Sequence, residues 1–588
     1  MKKNIPARTH LKRIAELQKK RREILSLMPE KALKEILEAH QPAALVHSFP
    51  EEDFYFLVND IGPGDTIELL SLASNRQWEY ILDLEVWEKD RIEIKAVTKW
   101  FDLLLRSDSN RFLKWILDEK VEFFEFYLFH SIEVKIREHD QDPSVFGEDF
   151  TTLDDIFYIR FIDHPFEIES NDRYSEHRKE LLSTLIRRLA DYDHVTYQKV
   201  LLEASSIIPA ESEEETYRLR NVRLAEKGFL PSDEAIGVYQ PMAPSEFNRQ
   251  GVKSILSNSH QLHLPVPLYH TGMLEEDNLF TLALKRIEKD EVLQQIQTEF
   301  AALCNRIIAA DLKTIRERGE LKKIVQKACG YLSIGLEGLT DKDRTPDTGQ
   351  AAAFITKFPL YQIFRVGFGF ALELKWQAEK WRKKSWYEKV GLPVSFWGEE
   401  WLGVLDGLLI KRPLFYDNYK SGLLYREFVS MEDIKWARGV LDQIIYFDNL
   451  LSLMEIKLDS VFSYSLLRHK NLVLTLWAKD HLKIDRTSNR SELFRPMSFS
   501  EVKSFFENLW INEKKPRKIK ISMKKAFLDW LSDKTGLIDY EITDRLGRTF
   551  ENIFDEIENE YGEVSEKEMD PRYIHLFLIE GREISRRL

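Results

Sequence analysis

Apolar residues recur every three or four positions along most of the chain, the spacing of a helix that buries one face. Leu11, Ile14, Leu17, Ile24, Leu25 and Met28 follow it at the start. KAVTKWFDLLLR and RFLKWILDEKVEFFEFYLF carry apolar residues on more than one face, which predicts inner helices across residues 78–135. Further helices are expected over 176–204, 213–240, 278–318, 320–338 and 350–390, and around Trp397, Trp401 and Trp436. Trp376, Trp381 and Trp386 stand five apart, so they cannot form one straight face. DQDPSVFGEDFTTLDD, residues 140–155, reads as a loop from its Asp, Pro and Gly content. IFYIRFIDHPFEIE reads either as a short strand pair or as a helix broken at its proline.

One phrase repeats. Pro29, Pro50 and Pro63 each follow an apolar residue or glycine and precede acids or small polar residues, with an apolar residue four positions on. Proline tolerates a first helical turn because its missing N–H had no partner there. The acids face the free N–H groups and the positive dipole end. The openings are only 21 and 13 residues apart. Helices that short are not stable alone and must stack. The phrase returns at Pro231, after EEETYRLRNVRLAEKG, a helix expected to end at Gly228. The expected fold class is mainly α: short-helix superhelical repeats, then a larger helical domain, then a small α/β or helical C-terminal piece.

Composition adds boundaries. At 588 residues the chain exceeds one comfortable domain. The connector SHQLHLPVPLYHTG and the polar shift near residue 485 divide it into 1–245, 270–484 and 485–588. The net charge of -13 argues against general nucleic-acid coating. Cys304 and Cys329 are the only cysteines, too few for a disulfide framework or a self-contained cysteine metal site, and they fit a reducing cytoplasm. The first residues lack the apolar core of a signal peptide, and no run of eighteen apolar residues occurs, so no membrane span is expected. Nine basic residues between Lys2 and Arg22 face one acid, Glu16. That segment reads as a leading helix packed on the next repeat, or as a basic amphipathic surface for a partner, membrane or RNA.

Candidate chemistry is sparse. There is no phosphate loop, HExxH, CxxC or EF-hand sequence. Glu399, Glu400 and Asp406 in FWGEEWLGVLDG are candidate acid–base groups, with Glu399 and Asp406 seven apart on one helix face among tryptophans. First-turn acids favoured by the dipole are the plainer reading. His260, His263 and His270 are candidate metal ligands, or simply loop histidines. Arg218, Arg220 and Arg223 are candidates for an anion or partner site, or for surface salt links; Arg220 and Arg223 can face one way. Lys514, Lys515, Arg517 and Lys518 belong to a second basic run, KKPRKIKISMKK, which is expected to pair with the acids of 551–570 or with an acidic partner. No cofactor is implied.

The Pro-acid-apolar phrase over residues 27–87 resembles the N-terminal cytosolic superhelix of channel-type magnesium transporters, a regulatory, contact-making module. Neither the pore nor the rest of those transporters is present, so transport is not implied. With LRNVRLAEKGFLPSDEAIGVYQP, LSIGLEGL and FPLYQIFRVGFG, the chain also resembles a bacterial family of large helical proteins of unknown function. The expectation is a cytoplasmic helical scaffold or regulatory protein that meets a protein partner. The alternatives are an enzyme using carboxylates in a helical cleft, and a nucleic-acid-associated protein acting through its basic patches.

Overall fold

The structure is a computed structural model. It describes residues 5–580 except 163–171, 248, 250, 254–269, 271–273, 275–276, 341–346, 459–465, 485–493, 512–514 and 566. The fold is mainly α-helical, with three small antiparallel sheets among the described residues. Two compact units divide it, Met1–Arg365 and Val366–Leu588. The division falls inside the helix Leu360–Arg382, away from the boundaries expected near 245 and 485. The reason is packing. Residues 232–239 lie on the helix Asp290–Ala310, so the segments on both sides of the expected boundary near 245 belong to the first unit. The helix Asp539–Tyr561 packs on Met431–Leu453, so the C-terminal piece belongs to the second.

The first unit begins as a stack of short helices. Pro29–Leu37, Pro42–His47, Glu51–Ile61, Ile67–Leu72, Asn75–Glu85 and Ile94–Ser107 follow one another. From Pro29–Leu37 onward, each of the first four packs on the helix two places further along. That arrangement gives each short element the tertiary burial it needs. Pro29 stands at the start of its helix, Pro50 caps the next, and Pro63 opens a 3-10 turn. The 21-residue interval holds one more helix, Pro42–His47, also opened by proline. The long leading helix, Ile5–Leu25, ends against this stack: Ile24 is buried and Arg21 Nη1 donates to Ser48 O at 2.7 Å.

Residues 132–135, expected to be helical, lie instead in the strand Ile132–Ile136. Its partner is Phe157–Phe161, with Ile132 opposite Phe161 and Ile136 opposite Phe157; Thr151–Thr152 pairs on the other edge. Alternating β-branched residues in IEVKI suit a pleated surface better than a helix. Of the two readings for residues 156–169, the described part takes the strand.

The helix Pro209–Glu226 ends in a left-handed Gly228, φ +85°, and Phe229 N–H donates back to Leu224 O at 3.0 Å. A Cβ there would stand 2.6 Å from Ala302 Cα, so glycine is required twice over. The rest of the unit packs Leu279–Leu284, Asp290–Ala310, Arg318–Leu339 and Thr348–Lys357 together. Cys304 and Cys329 are buried inside this group and form no disulfide.

The second unit is built on Met431–Leu453, against which Gly398–Leu409, Trp386–Val390, Ile521–Thr535 and Asp539–Tyr561 pack. Asp448 is buried at its centre. Its carboxylate accepts from Trp381 Nε1 and from the Trp386 and Tyr387 N–H groups at 3.2, 3.0 and 3.0 Å, capping the helix Trp386–Val390. Trp477 anchors the far side of the core among Phe505, Phe527 and Phe554. The closing apolar run is core too: Ile574, Leu576, Phe577 and Leu578 are buried, and Met497 N–H donates to Leu578 O at 2.8 Å.

Candidate functional site

In the second unit the chain turns sharply at Gly398, φ +75° and ψ 172°, a backbone region open to almost no other residue. The turn starts the helix Gly398–Leu409 and seats the residue before it, Trp397, in the core. Glu399 and Glu400 follow in the first, exposed helical turn, where the dipole favours them. They form one wall of a cleft of about 440 Å³. The opposite lining comes from three other helices. Met431–Leu453 supplies Lys435, Trp436 and Gln443; His469–His481 supplies His469 and Lys470; Asp539–Tyr561 supplies Arg548, Thr549 and Asn552.

His469 is fixed on every side. Its ring stacks on Trp401, centroids 4.5 Å apart and planes 11° apart, and meets Phe447 edge-on at 5.3 Å. Nδ1 donates to Phe396 O at 3.3 Å, which makes Nε2 the acceptor nitrogen of a neutral ring. Burial takes the group down to about 3, with Lys470 and Arg468 adding to the fall against the Phe396 bond. His469 is therefore a fixed neutral acceptor at neutral pH and carries no proton there. A Cβ on Gly398 would touch its ring at 3.4 Å.

The charges in this cleft do not cancel one another. Neither Glu399 nor Glu400 forms an ion pair with a described residue, and neither do Lys435 and Arg548; Lys470 is held by Glu556 at 2.5 Å. Thr549 Oγ1 donates to Gln443 Oε1 at 3.2 Å, tying two walls together. Asp406 does not join the acids. Seven residues return it to the same angular position but carry it about 10 Å along the axis, and it lies outside the lining, where partial burial raises its carboxyl.

In the first unit the arginine block folds inward. Arg223 holds Asp83 through two bonds, 2.8 and 2.7 Å, and reaches Glu79 at 3.1 Å. Arg220 donates to Asp83 O at 2.6 Å and lies over Trp87 at 5.2 Å. Arg218 faces the other way and pairs with Glu215 at 2.6 Å. Arg220 and Arg223 are thus joints between helices rather than free anion ligands. Arg223 also lines a smaller hollow of about 240 Å³. A third hollow, about 690 Å³, opens beside Lys95, Lys99 and Trp100, with Glu85 below it accepting from Tyr55 Oη at 2.7 Å and Arg316 Nε at 2.9 Å.

The second basic run is also largely engaged. Lys515 approaches Glu568 at 3.8 Å, Lys518 meets Glu558 at 2.5 Å, and Lys524 meets Glu551 at 2.7 Å. Arg517 is buried over Trp510 at 5.0 Å. Lys514 lies outside the described residues, as do His260 and His263. His270 is buried in the core, edge-on to Phe56 at 6.2 Å, and burial takes it down to about 4. Among the described residues no group of three or more His, Cys, Asp and Glu side chains is placed to hold a metal ion, and no helix is long and apolar enough to cross a membrane.

The profile of one family, described as a family of unknown function (DUF6178), matches residues 9–580. The chain belongs to that family. No curated protein and no solved structure matches it. The match spans both units, and nothing in it ties residues 27–87 to magnesium transporters. Within this family member, the sequence pointed to Glu399 and Glu400 but not to the residues that face them. His469, Lys435 and Arg548 sit 35 to 149 positions away with no shared motif. The usable local signal was the glycine in FWGEEW, wedged between an aromatic and two acids.

Proposed function

We propose that the protein binds a small polar molecule in the cleft of its second unit. The ligand carries hydrogen-bond donors or a cationic group at one end and an anionic group at the other. One observation carries this reading: acids from one helix and cations from two others line the same cleft without neutralising each other. All four charges are exposed and so are satisfied by water, but opposite signs converging on one concavity are the arrangement a ligand pocket uses. The volume suits a small molecule, within the range of about 300–1,000 Å³ for such sites. Nε2 of His469 adds a fixed acceptor, and Trp436 an aromatic side. If chemistry follows binding, its acid–base groups are Glu399 and Glu400, because His469 stays neutral. Two buried cysteines that form no disulfide support a reducing compartment, and the cytoplasm is the proposed location.

Calorimetry with amino acids and amino-sugar phosphates, against neutral sugars and inorganic phosphate, tests the proposal. Saturable binding of the doubly functional class, lost in Glu399→Gln/Glu400→Gln and in Lys435→Ala/Arg548→Ala, is expected. Binding that ignores both variants, or the absence of any binding, rejects it.

A second reading concerns the first unit: a scaffold or regulatory contact with another protein. It is favoured by Val195, Leu202, Ile208, Leu219 and Val222, which are each more than 40% exposed along one stretch of chain. Leu219 and Val222 stand three apart on one face of Pro209–Glu226, and neighbouring exposed apolar side chains suit a contact surface.

A further inference from the structure

We propose that the hollow between the helices Asn75–Glu85, Val121–Ser131 and Pro209–Glu226 receives one large apolar side chain from a basic, amphipathic helix of a partner protein. This rests on the protein-contact reading and adds the partner's chemistry. The hollow's volume, about 240 Å³, is below that of a small-molecule pocket and fits a single anchoring residue. Leu82, Val86, Phe123 and Leu219 supply its apolar lining.

The charges around it are unequal. Its cations are used: Lys120 is bound to Glu79, and Arg223 to Glu79 and Asp83. Its outer acids are not. Asp118 and Glu122 form no ion pair with a described residue. Glu119 accepts only from neutral groups, Asn75 Nδ2 at 3.1 Å and Trp115 Nε1 at 3.2 Å. All three are exposed. The apolar hollow therefore lies in an uncompensated negative field. Glu125, on the same helix as Glu122, is pushed up to about 7 by burial first, then by Glu203 and Glu122, with Lys199 alone opposing. A partner with an apolar anchor flanked by lysines or arginines complements both features. An acidic partner or a nucleic acid is repelled.

The probe is a labelled peptide with the sequence of residues 2–28 of this chain, itself basic and amphipathic. Its control keeps the apolar positions and replaces every Lys and Arg with Glu. Anisotropy titration of the full chain is expected to show saturable binding of the basic peptide, at least tenfold tighter than the control and weakened by salt. Asp118→Lys/Glu119→Lys/Glu122→Lys weakens it at least tenfold, and so does Leu219→Asp, an exposed position where folding is retained. The charge-matched Glu30→Lys/Glu35→Lys/Glu38→Lys leaves it unchanged. Absence of saturable binding overturns both the docking proposal and the contact reading at this hollow. Equal binding of both peptides, lost in Leu219→Asp, keeps the contact reading and rejects the basic partner. A dimer of the full chain that the peptide dissociates replaces the partner with a second copy.

Discussion

The helices Pro209–Glu226 and Gly398–Leu409 both bring charges beside aromatic rings, and they use them in opposite ways. In the first, Arg220 and Arg223 turn onto Asp83 and Trp87, and the charges are consumed in joining helices. In the second, Glu399 and Glu400 are left facing a cleft, with Lys435 and Arg548 across from them and no bond between the two signs. Pairing marks a structural role, because a partly buried charge is tolerable once it is satisfied. In the second unit the unpaired charges are exposed and share one concavity, and the proposed ligand site rests on that convergence.

The largest contrast between the units is expected under acid. His270 and His469 have folded values of about 4 and about 3, below an unfolded value near 6.5, so the unfolded chain takes up their protons first. Their contribution is complete above pH 6.5 and is lost progressively as pH falls toward 4 and 3. Melting followed between pH 7 and pH 4 should fall steeply in the wild type. His469→Phe should flatten the part of that slope owed to the second unit, and His270→Phe the part owed to the first. A slope unchanged in both variants removes this account.

Next comes the joint itself. Arg223→Met leaves Asp83, only 7% exposed, without its bidentate partner, and should cost about 3 kcal/mol by denaturant titration. Arg218→Met, whose pair with Glu215 is exposed, should change stability by well under 1 kcal/mol. Similar losses in both would erase the distinction between joint and surface pair.

At the cleft, Gly398→Ala should cost about 2 kcal/mol, since its backbone conformation is closed to other residues. The added methyl also presses on His469, so ligand binding should weaken in the same variant. The smallest effect sharpens the comparison most. Glu399→Gln/Glu400→Gln should leave stability within about 0.5 kcal/mol while abolishing binding in the cleft. A large loss of stability would show that these acids are structural after all.

Much of the helical content could be read from spacing alone, because a buried stripe needs apolar residues every three or four positions whatever it packs on. The proline-opened short helices, the end at Gly228, and the shared side of Arg220 and Arg223 all follow from local rules of backbone and turn. The strand at 132–136 did not follow. IEVKI continues an apolar run that suits either element over so short a length, and only its partner at 157–161 chooses between them. How the chain divides into compact units is likewise not a local property, because a proline-rich connector marks where a chain can bend and not which surfaces close over it.

By itself, the sequence determined a mainly helical protein, where many of its helices begin, and two adjacent acids in an aromatic setting. Each of those depends on residues within a turn or two of one another. Tertiary structure alone decided that Glu399 and Glu400 face Lys435, His469 and Arg548, that Asp406 lies apart, and that the arginine block is spent on Asp83. Such meetings depend on how helices far apart in the chain pack side by side, and packing is set by the summed fit of whole apolar faces rather than by any short motif.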